Sequence, residues 1–174
     1  MIYTIENEYL SVKVSTVGAT LVSFIDKKTN TDIVLGFDDQ ASYFKNTGPH
    51  LGATVGRNAN RIAEGSFVIN GEKYQLSLNE PGICLHSGVG DLSFRGYTLK
   101  ELKEDEIILS LFDGDMSGGF PGNLNLEVSY SLKNNQLIYS FTGLCDKDSI
   151  LIISNHWYFN LNGGVDTVFD QELK

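Results

Sequence analysis

Apolar side chains fall on alternate positions at Leu10, Val12 and Val14, with polar residues between them. In an extended chain that period of two puts every apolar group on one face, which predicts a half-buried strand. Leu21, Val22, Phe24 and Ile25 predict a second strand within Gly18 to Asp26, and Ile33, Val34 and Leu35 a short one within Thr31 to Gly36. Phe37 to Phe44 fits one helical turn. Ser66 to Leu76 predicts a hairpin, because Asn70-Gly71 at its centre supplies two residues that tolerate positive φ, as a type I′ turn requires. Phe94 to Lys103 and Glu106 to Phe112 predict another pair of strands joined through Glu104-Asp105. The clearest alternation is Leu124, Leu126, Val128, Tyr130 and Leu132, followed by a turn at Asn134-Asn135 and a return strand with Leu137, Tyr139 and Phe141.

Strands at spacings of about 8 to 12 residues, with turn formers between them and no amphipathic run long enough for a crossover helix, predict an all-β fold. The expected architecture is a large antiparallel β-sandwich. Composition agrees: 18 Gly against 3 Pro, with Val, Ile, Tyr and Phe in short runs, favour strands and tight turns. No internal repeat or Pro/Ser-rich linker divides residues 1–174, so they read as part of a single domain. Val165 to Lys174 reads as turn then strand rather than as a polar tail. The sandwich is therefore expected to be incomplete, with long edge strands open to self-association.

A net charge of -9 with 13 scattered basic residues argues against a nucleic-acid surface, which needs clustered Lys and Arg. Neither a basic amphipathic stretch nor a lipidation signal points to a membrane. Met1 to Glu8 is acidic and lacks the apolar centre of a signal peptide, and no uncharged apolar run approaches the roughly 18 residues of a spanning helix. Cys84 and Cys145 are isolated and read as reduced core residues rather than a disulfide or metal pair. The expectation is a cytoplasmic protein with a neutral small-molecule partner and neither cofactor nor metal.

Two segments place chemically capable groups among aromatics and glycines. The first runs from Gly52 to His86 and opens with Gly52-Ala-Thr-Val-Gly-Arg-Asn-Ala-Asn-Arg-Ile62; its glycines fit neither a P-loop nor a dinucleotide fingerprint. Arg61, after Asn60, suits either a structural ion pair or a rigid set of donors to sugar hydroxyls. His86 ends a short apolar run and is either a satisfied structural histidine or a site residue. The second segment is Ile150-Leu-Ile-Ile-Ser-Asn-His-Trp-Tyr-Phe-Asn-Leu161. There His156, Trp157 and Tyr158 form either core or a sugar pocket of polar tips on an aromatic wall. No Ser or Cys has a base and an orienting partner at a recognisable spacing, which disfavours covalent hydrolysis.

At these segments the sequence resembles the aldose 1-epimerase (galactose mutarotase) family along essentially its whole length. The matches run in order through Val34-Leu-Gly36, Gly52 to Ile62, Gly65-Ser-Phe67, Leu85-His86, Gly114-Asp-Met116, Phe120-Pro-Gly122 and Asn155-His-Trp-Tyr-Phe-Asn-Leu161. The resemblance implies a galactose mutarotase-like supersandwich, of which this chain is the N-terminal half, and an isomerase that interconverts the α and β anomers of free aldohexoses such as glucose and galactose. It implies that His156 is the general acid, that Asn60, Arg61 and His86 contact the sugar, and that Trp157 and Tyr158 line the same pocket. No metal or cofactor is implied, since ring opening needs only a proton taken from the C1 hydroxyl and one given to the ring oxygen.

The family's general base is a Glu and a further sugar ligand an Asp, both from a C-terminal half with which no position here is matched, so this chain is expected to be inactive alone. Ser87-Gly88 stands where two glycines are usual, Asp91-Leu-Ser-Phe-Arg-Gly-Tyr97 departs from a Gly-Phe-Asp pattern with a later Trp, Trp157 replaces a smaller residue, and Gln171 stands where His is frequent. A non-catalytic carbohydrate-binding β-sandwich and a truncated, inactive product are the competing readings.

Overall fold

The computed structural model describes residues 1–172. Strands β1 (Ile2–Glu6), β2 (Leu10–Ser15), β3 (Thr20–Asp26) and β4 (Thr31–Asp32) form an antiparallel sheet in chain order. A short helix, α1 (Gln40–Lys45), starts where the Asp39 carboxylate accepts the Ser42 N–H. Short strands follow: β5 (Thr54–Val55), β6 (Arg61–Ala63), β7 (Ser66–Ile69), β8 (Glu72–Gln75) and β9 (Ile83–Leu85). A second sheet contains β10 (Thr98–Leu102), β11 (Glu106–Asp113), β12 (Leu124–Lys133) and β13 (Gln136–Cys145), again in chain order and antiparallel. Finally β14 (Ser154–Asn155) pairs with β5. The all-β antiparallel architecture is as the sequence predicts.

The two four-stranded sheets share one core. Val12, Val14 and Leu21 of the first pack with Ile107, Leu109, Leu124, Leu126, Val128 and Tyr130 of the second. The period of two does this directly, since alternate side chains of β11 and β12 are buried while their neighbours are more exposed. Tyr130 brings its hydroxyl into this interior and donates it to the Ala19 carbonyl at 2.6 Å, so the one polar atom of the ring is satisfied.

The predicted hairpins occur where expected. Ile69 and Glu72 close the β7–β8 turn, with Asn70 at φ 53° and Gly71 at φ 83°. Several predicted strands are shorter than their apolar runs. Phe94, read as the start of a strand, ends a 3-10 turn over residues 92–94, which Asp91 caps by accepting the Ser93 N–H. Leu151, Ile152 and Ile153 precede β14, and Ile152 instead bridges the irregular 57–59 segment, donating its N–H to the Arg57 carbonyl and accepting that of Ala59. Met1 to Glu8 supplies β1, which the apolar alternation from Leu10 did not reveal. Of the predicted turn and strand over Val165 to Lys174, residues 165–172 are bends, turns and irregular chain with no strand, and residues 173 and 174 lie outside the described residues.

Candidate functional site

The chain contains three histidines, and the fold brings all of them together. The ring centroids of His50 and His86 are 4.9 Å apart, those of His86 and His156 5.4 Å, and those of His50 and His156 5.7 Å. Each ring arrives on a different piece of backbone. His156 follows β14, and its N–H donates to the Ala53 carbonyl at 2.8 Å while its carbonyl accepts the Gly52 N–H at 2.9 Å, which extends the β5–β14 ladder by one turn of pairing. Gly52 has φ 69°, and a Cβ there would run into the Leu21 carbonyl oxygen, so this approach is open to glycine.

Asn60 and His86 are brought face to face by the β6–β9 register, in which Arg61 opposes Leu85. The His86 N–H donates to the Asn60 carbonyl at 3.0 Å, and the Asn60 N–H donates to His86 Nδ1 at 3.0 Å. A ring nitrogen that accepts a backbone N–H carries no proton, so neutral His86 presents Nε2 as a donor. Asn60, His86 and Ser87 all have positive φ, at 69°, 49° and 69°. The buried Ser87 hydroxyl accepts the Asn58 N–H at 2.8 Å, tying this reversal to the irregular 57–59 segment.

His86 and His156 are both harder to protonate than an ordinary histidine of pKa 6.5. Burial is the first cause for each ring and the neighbouring His50 the second, while Asp91 works in the opposite direction. Arg61 also disfavours charge on His86. In the fold these imidazoles resist a proton that the unfolded chain accepts near pH 6.5. Stability is therefore fully present above pH 6.5 and is lost as pH falls from there through the folded-state values. The melting temperature is expected to drop as pH falls below about 6.5, and the double variant His86→Asn/His156→Asn is expected to flatten that slope. An unchanged slope in the double variant would show that other groups carry it.

Not every residue named from the sequence joins the cluster. Tyr158 does: its ring centroid is 5.3 Å from that of His156, and its hydroxyl donates to the Pro49 carbonyl at 3.1 Å. Arg61 borders it as an exposed side chain paired with Glu80 at 3.3 Å. Trp157 does not, and the expectation that it lines the pocket is corrected: its indole packs on the core side against Tyr139 and Tyr130, at 5.5 Å and 6.3 Å. In an extended segment neighbouring side chains face opposite ways, so a residue beside His156 is turned from it.

The structure adds residues that the sequence reading passed over. His50 stands two residues before Gly52, and its Nδ1 lies 3.0 Å from an Asp91 carboxylate oxygen and 3.2 Å from the Ser93 hydroxyl. Arg57, in the middle of the glycine-rich motif, is 1% exposed and bonds Asp113 and the carbonyls of Asp113, Gly114 and Pro121. Arg57 has no route to a ligand; it anchors the backbone from which Asn58 to Arg61 depart. A surface cleft of about 770 Å³ lies elsewhere, between Tyr9, Phe24, Lys27 and Asn134. That cleft holds no imidazole. Among the described residues no group of three His, Cys, Asp or Glu side chains is arranged to hold a metal ion.

The family model described as Aldose 1-epimerase matches residues 1–174. The chain belongs to the aldose 1-epimerase family. It is 31% identical to the galactose mutarotase of Bos taurus over 175 residues, which cover 98% of this chain and 51% of that protein. It is 43% identical over 113 residues to the aldose 1-epimerase of Haemophilus influenzae, covering 64% of this chain and 33% of that one. The crystal structure of an aldose epimerase homologue from C. elegans superposes with a TM-score of 0.88 at 31% identity, covering 94% of this chain and 52% of that one. The galactose 1-epimerase from Lactobacillus acidophilus superposes at 0.82 with 33% identity, covering 91% and 48%. The epimerase-family chain thus spans about half the length of the relatives it matches.

Proposed function

We propose that this chain supplies the sugar-binding and proton-donating side of an aldose 1-epimerase site for free aldohexoses, glucose or galactose, with His156 as the general acid. The observation that carries this reading is the convergence of His86 and His156, with ring centroids 5.4 Å apart, on the residues to which the family resemblance assigns these roles. Asn60 and Arg61 border the same cluster through the β6–β9 register, and Tyr158 stacks obliquely beside His156. The reaction asks for little else from this side. His156 gives a proton to the ring oxygen as the bond between that oxygen and C1 breaks, and a base takes the proton of the C1 hydroxyl, leaving an open-chain aldehyde. Rotation about the C1–C2 bond and reclosure, with the protons returned, give the other anomer. His86 Nε2 and the Arg61 guanidinium act as donors that hold hydroxyls while the ring opens.

Two measurements test the reading. First, titration with D-galactose or D-glucose is expected to move the imidazole NMR signals of His86 and His156, and a sugar that moves neither signal ends it. Second, polarimetry of fresh α-D-galactose is expected to show faster anomer exchange with the protein present, with acetate added as a carboxylate base from solution. Saturable binding with exchange no faster than in the same buffer would establish instead a non-catalytic sugar-binding sandwich.

Residues 1–174 form, on this reading, the N-terminal portion of one mutarotase-like domain, and the free Cys84 and Cys145 suit the cytoplasm. Self-association belongs to the same reading. Strand β13 is ten residues long, has β12 as its hydrogen-bonded neighbour at one edge of the sheet, and leaves Phe141 and Leu144 at 43% and 71% exposure. Sedimentation is expected to show concentration-dependent oligomers that Phe141→Lys shifts toward monomer. A protein that is monomeric at every concentration would overturn this expectation.

A further inference from the structure

We propose that His50, gripped by Asp91 and Ser93, is a positioning residue of this site that governs the placement and charge of His86 and His156. For the sugar reaction this inference rests on the reading above; for the behaviour of the imidazoles it stands alone.

The grip is specific. Asp91 and Ser93 are both buried, at 7% and 2% exposure. One Asp91 oxygen accepts the Ser93 N–H at 2.9 Å and its hydroxyl at 2.6 Å, and the other faces His50 Nδ1 at 3.0 Å. A carboxylate only accepts, so His50 Nδ1 carries the hydrogen, and the tautomer of the ring is settled by its partner. Phe94, at the end of the same 3-10 turn, lays its ring against His50 at 5.1 Å. Residues 91–94 are thus a cradle for one side chain. They also lie in the segment that departs from the family pattern, and the departing Asp91 and Ser93 are the two residues that hold His50.

Backbone conformation points the same way. His50 adopts φ 49° without being glycine, a left-handed conformation that persists where the surroundings over-determine it. The ring so placed stands edge-on to His86 at 63° and tilted to His156 at 34°. The charged and titratable groups facing the cluster are Asp91, His86, His156 and Arg61, with the Tyr158 phenol beside His156. Within this set His50 opposes a proton on the other two imidazoles and Asp91 favours it. His50 is therefore placed to keep charge off the pair, and Asp91 to limit how far it does so.

Single substitutions separate this role from simple packing. NMR pH titration of the histidine signals in the whole chain is expected to show the midpoints of His86 and His156 rising together in His50→Asn, because the ring that stands 4.9 Å and 5.7 Å from them and opposes their protonation is gone. Asn tolerates the left-handed backbone at position 50. In Asp91→Asn the same midpoints are expected to fall. The amide spectrum reports whether each variant is folded, and the His50→Asn result decides even if Asp91→Asn does not fold. Unmoved midpoints in folded His50→Asn would reduce His50 to a packing residue and overturn the inference. Because the titrations need no sugar, a protein that ignores galactose while its midpoints shift would refute the epimerase reading and leave this one in place.

Discussion

Replacing Arg57 by leucine is expected to lower the stability of the fold by about 3–5 kcal/mol, the usual consequence of removing one partner from a buried ion pair. Its guanidinium is 1% exposed and meets Asp113, also 1% exposed, at 2.7 Å. The remaining N–H groups are used on the carbonyls of Pro121, Asp113 and Gly114 at 3.0, 2.9 and 3.2 Å. Without Arg57 those carbonyls lose their donors, and Asp113 keeps only Arg95, at 3.0 Å, whose side chain is 40% exposed. Buried acceptors without donors are the expensive part, which is why a double variant that also replaces Asp113 by an apolar residue is expected to recover part of the loss. Urea denaturation measures both. A loss for Arg57→Leu no larger than about 1 kcal/mol, the range of a surface pair, would mean that water enters the site and that the clamp is not what holds the end of β11.

His156→Asn is expected to slow the acetate-assisted anomer exchange proposed above by on the order of 100 to 10,000-fold while leaving the fold intact. The side chain hangs from a backbone position whose N–H and carbonyl are bonded to Ala53 and Gly52, and Asn preserves those bonds. The pH dependence supplies the sign. A donor that is harder to protonate than an ordinary histidine of pKa 6.5 has a protonated fraction that shrinks as pH climbs. A rate limited by that donor therefore falls with rising pH between about 5.5 and about 7.5, and His156→Asn abolishes the trend. A rate that rises with pH over the same window would make His156 the base. This slope runs against that of stability, so loss of fold and loss of donor are told apart in one series of buffers.

The strands that were legible were those with both a period and a turn. β7 and β8 had Asn70-Gly71, and β12 and β13 had strict alternation around Asn134, which adopts φ 55°. Phe94, with neither, was over-read as the start of a strand because apolar character does not say whether the backbone will find a partner. Trp157 was misplaced although the necessary signal was present. His156 and Tyr158 share parity in an extended segment and Trp157 does not, so the aromatic between them belonged to the core. His50 was passed over because nothing local distinguishes it; its partner Asp91 is 41 residues away in the chain, and its meaning lies in that pairing. Arg57 was read as part of a glycine-rich loop for the same reason, since Asp113 and Pro121 reach it only across the fold.

What the sequence determined by itself was the local physics: which stretches extend, where they turn back, and which segments carry polar, titratable residues among aromatics and glycines. Those depend on side-chain periodicity and backbone tolerance, which act between near neighbours. Tertiary structure alone decided that the three imidazoles meet, which carboxylate holds the first of them, and which aromatic beside His156 faces inward, because each is settled by contacts between segments that the chain order keeps far apart.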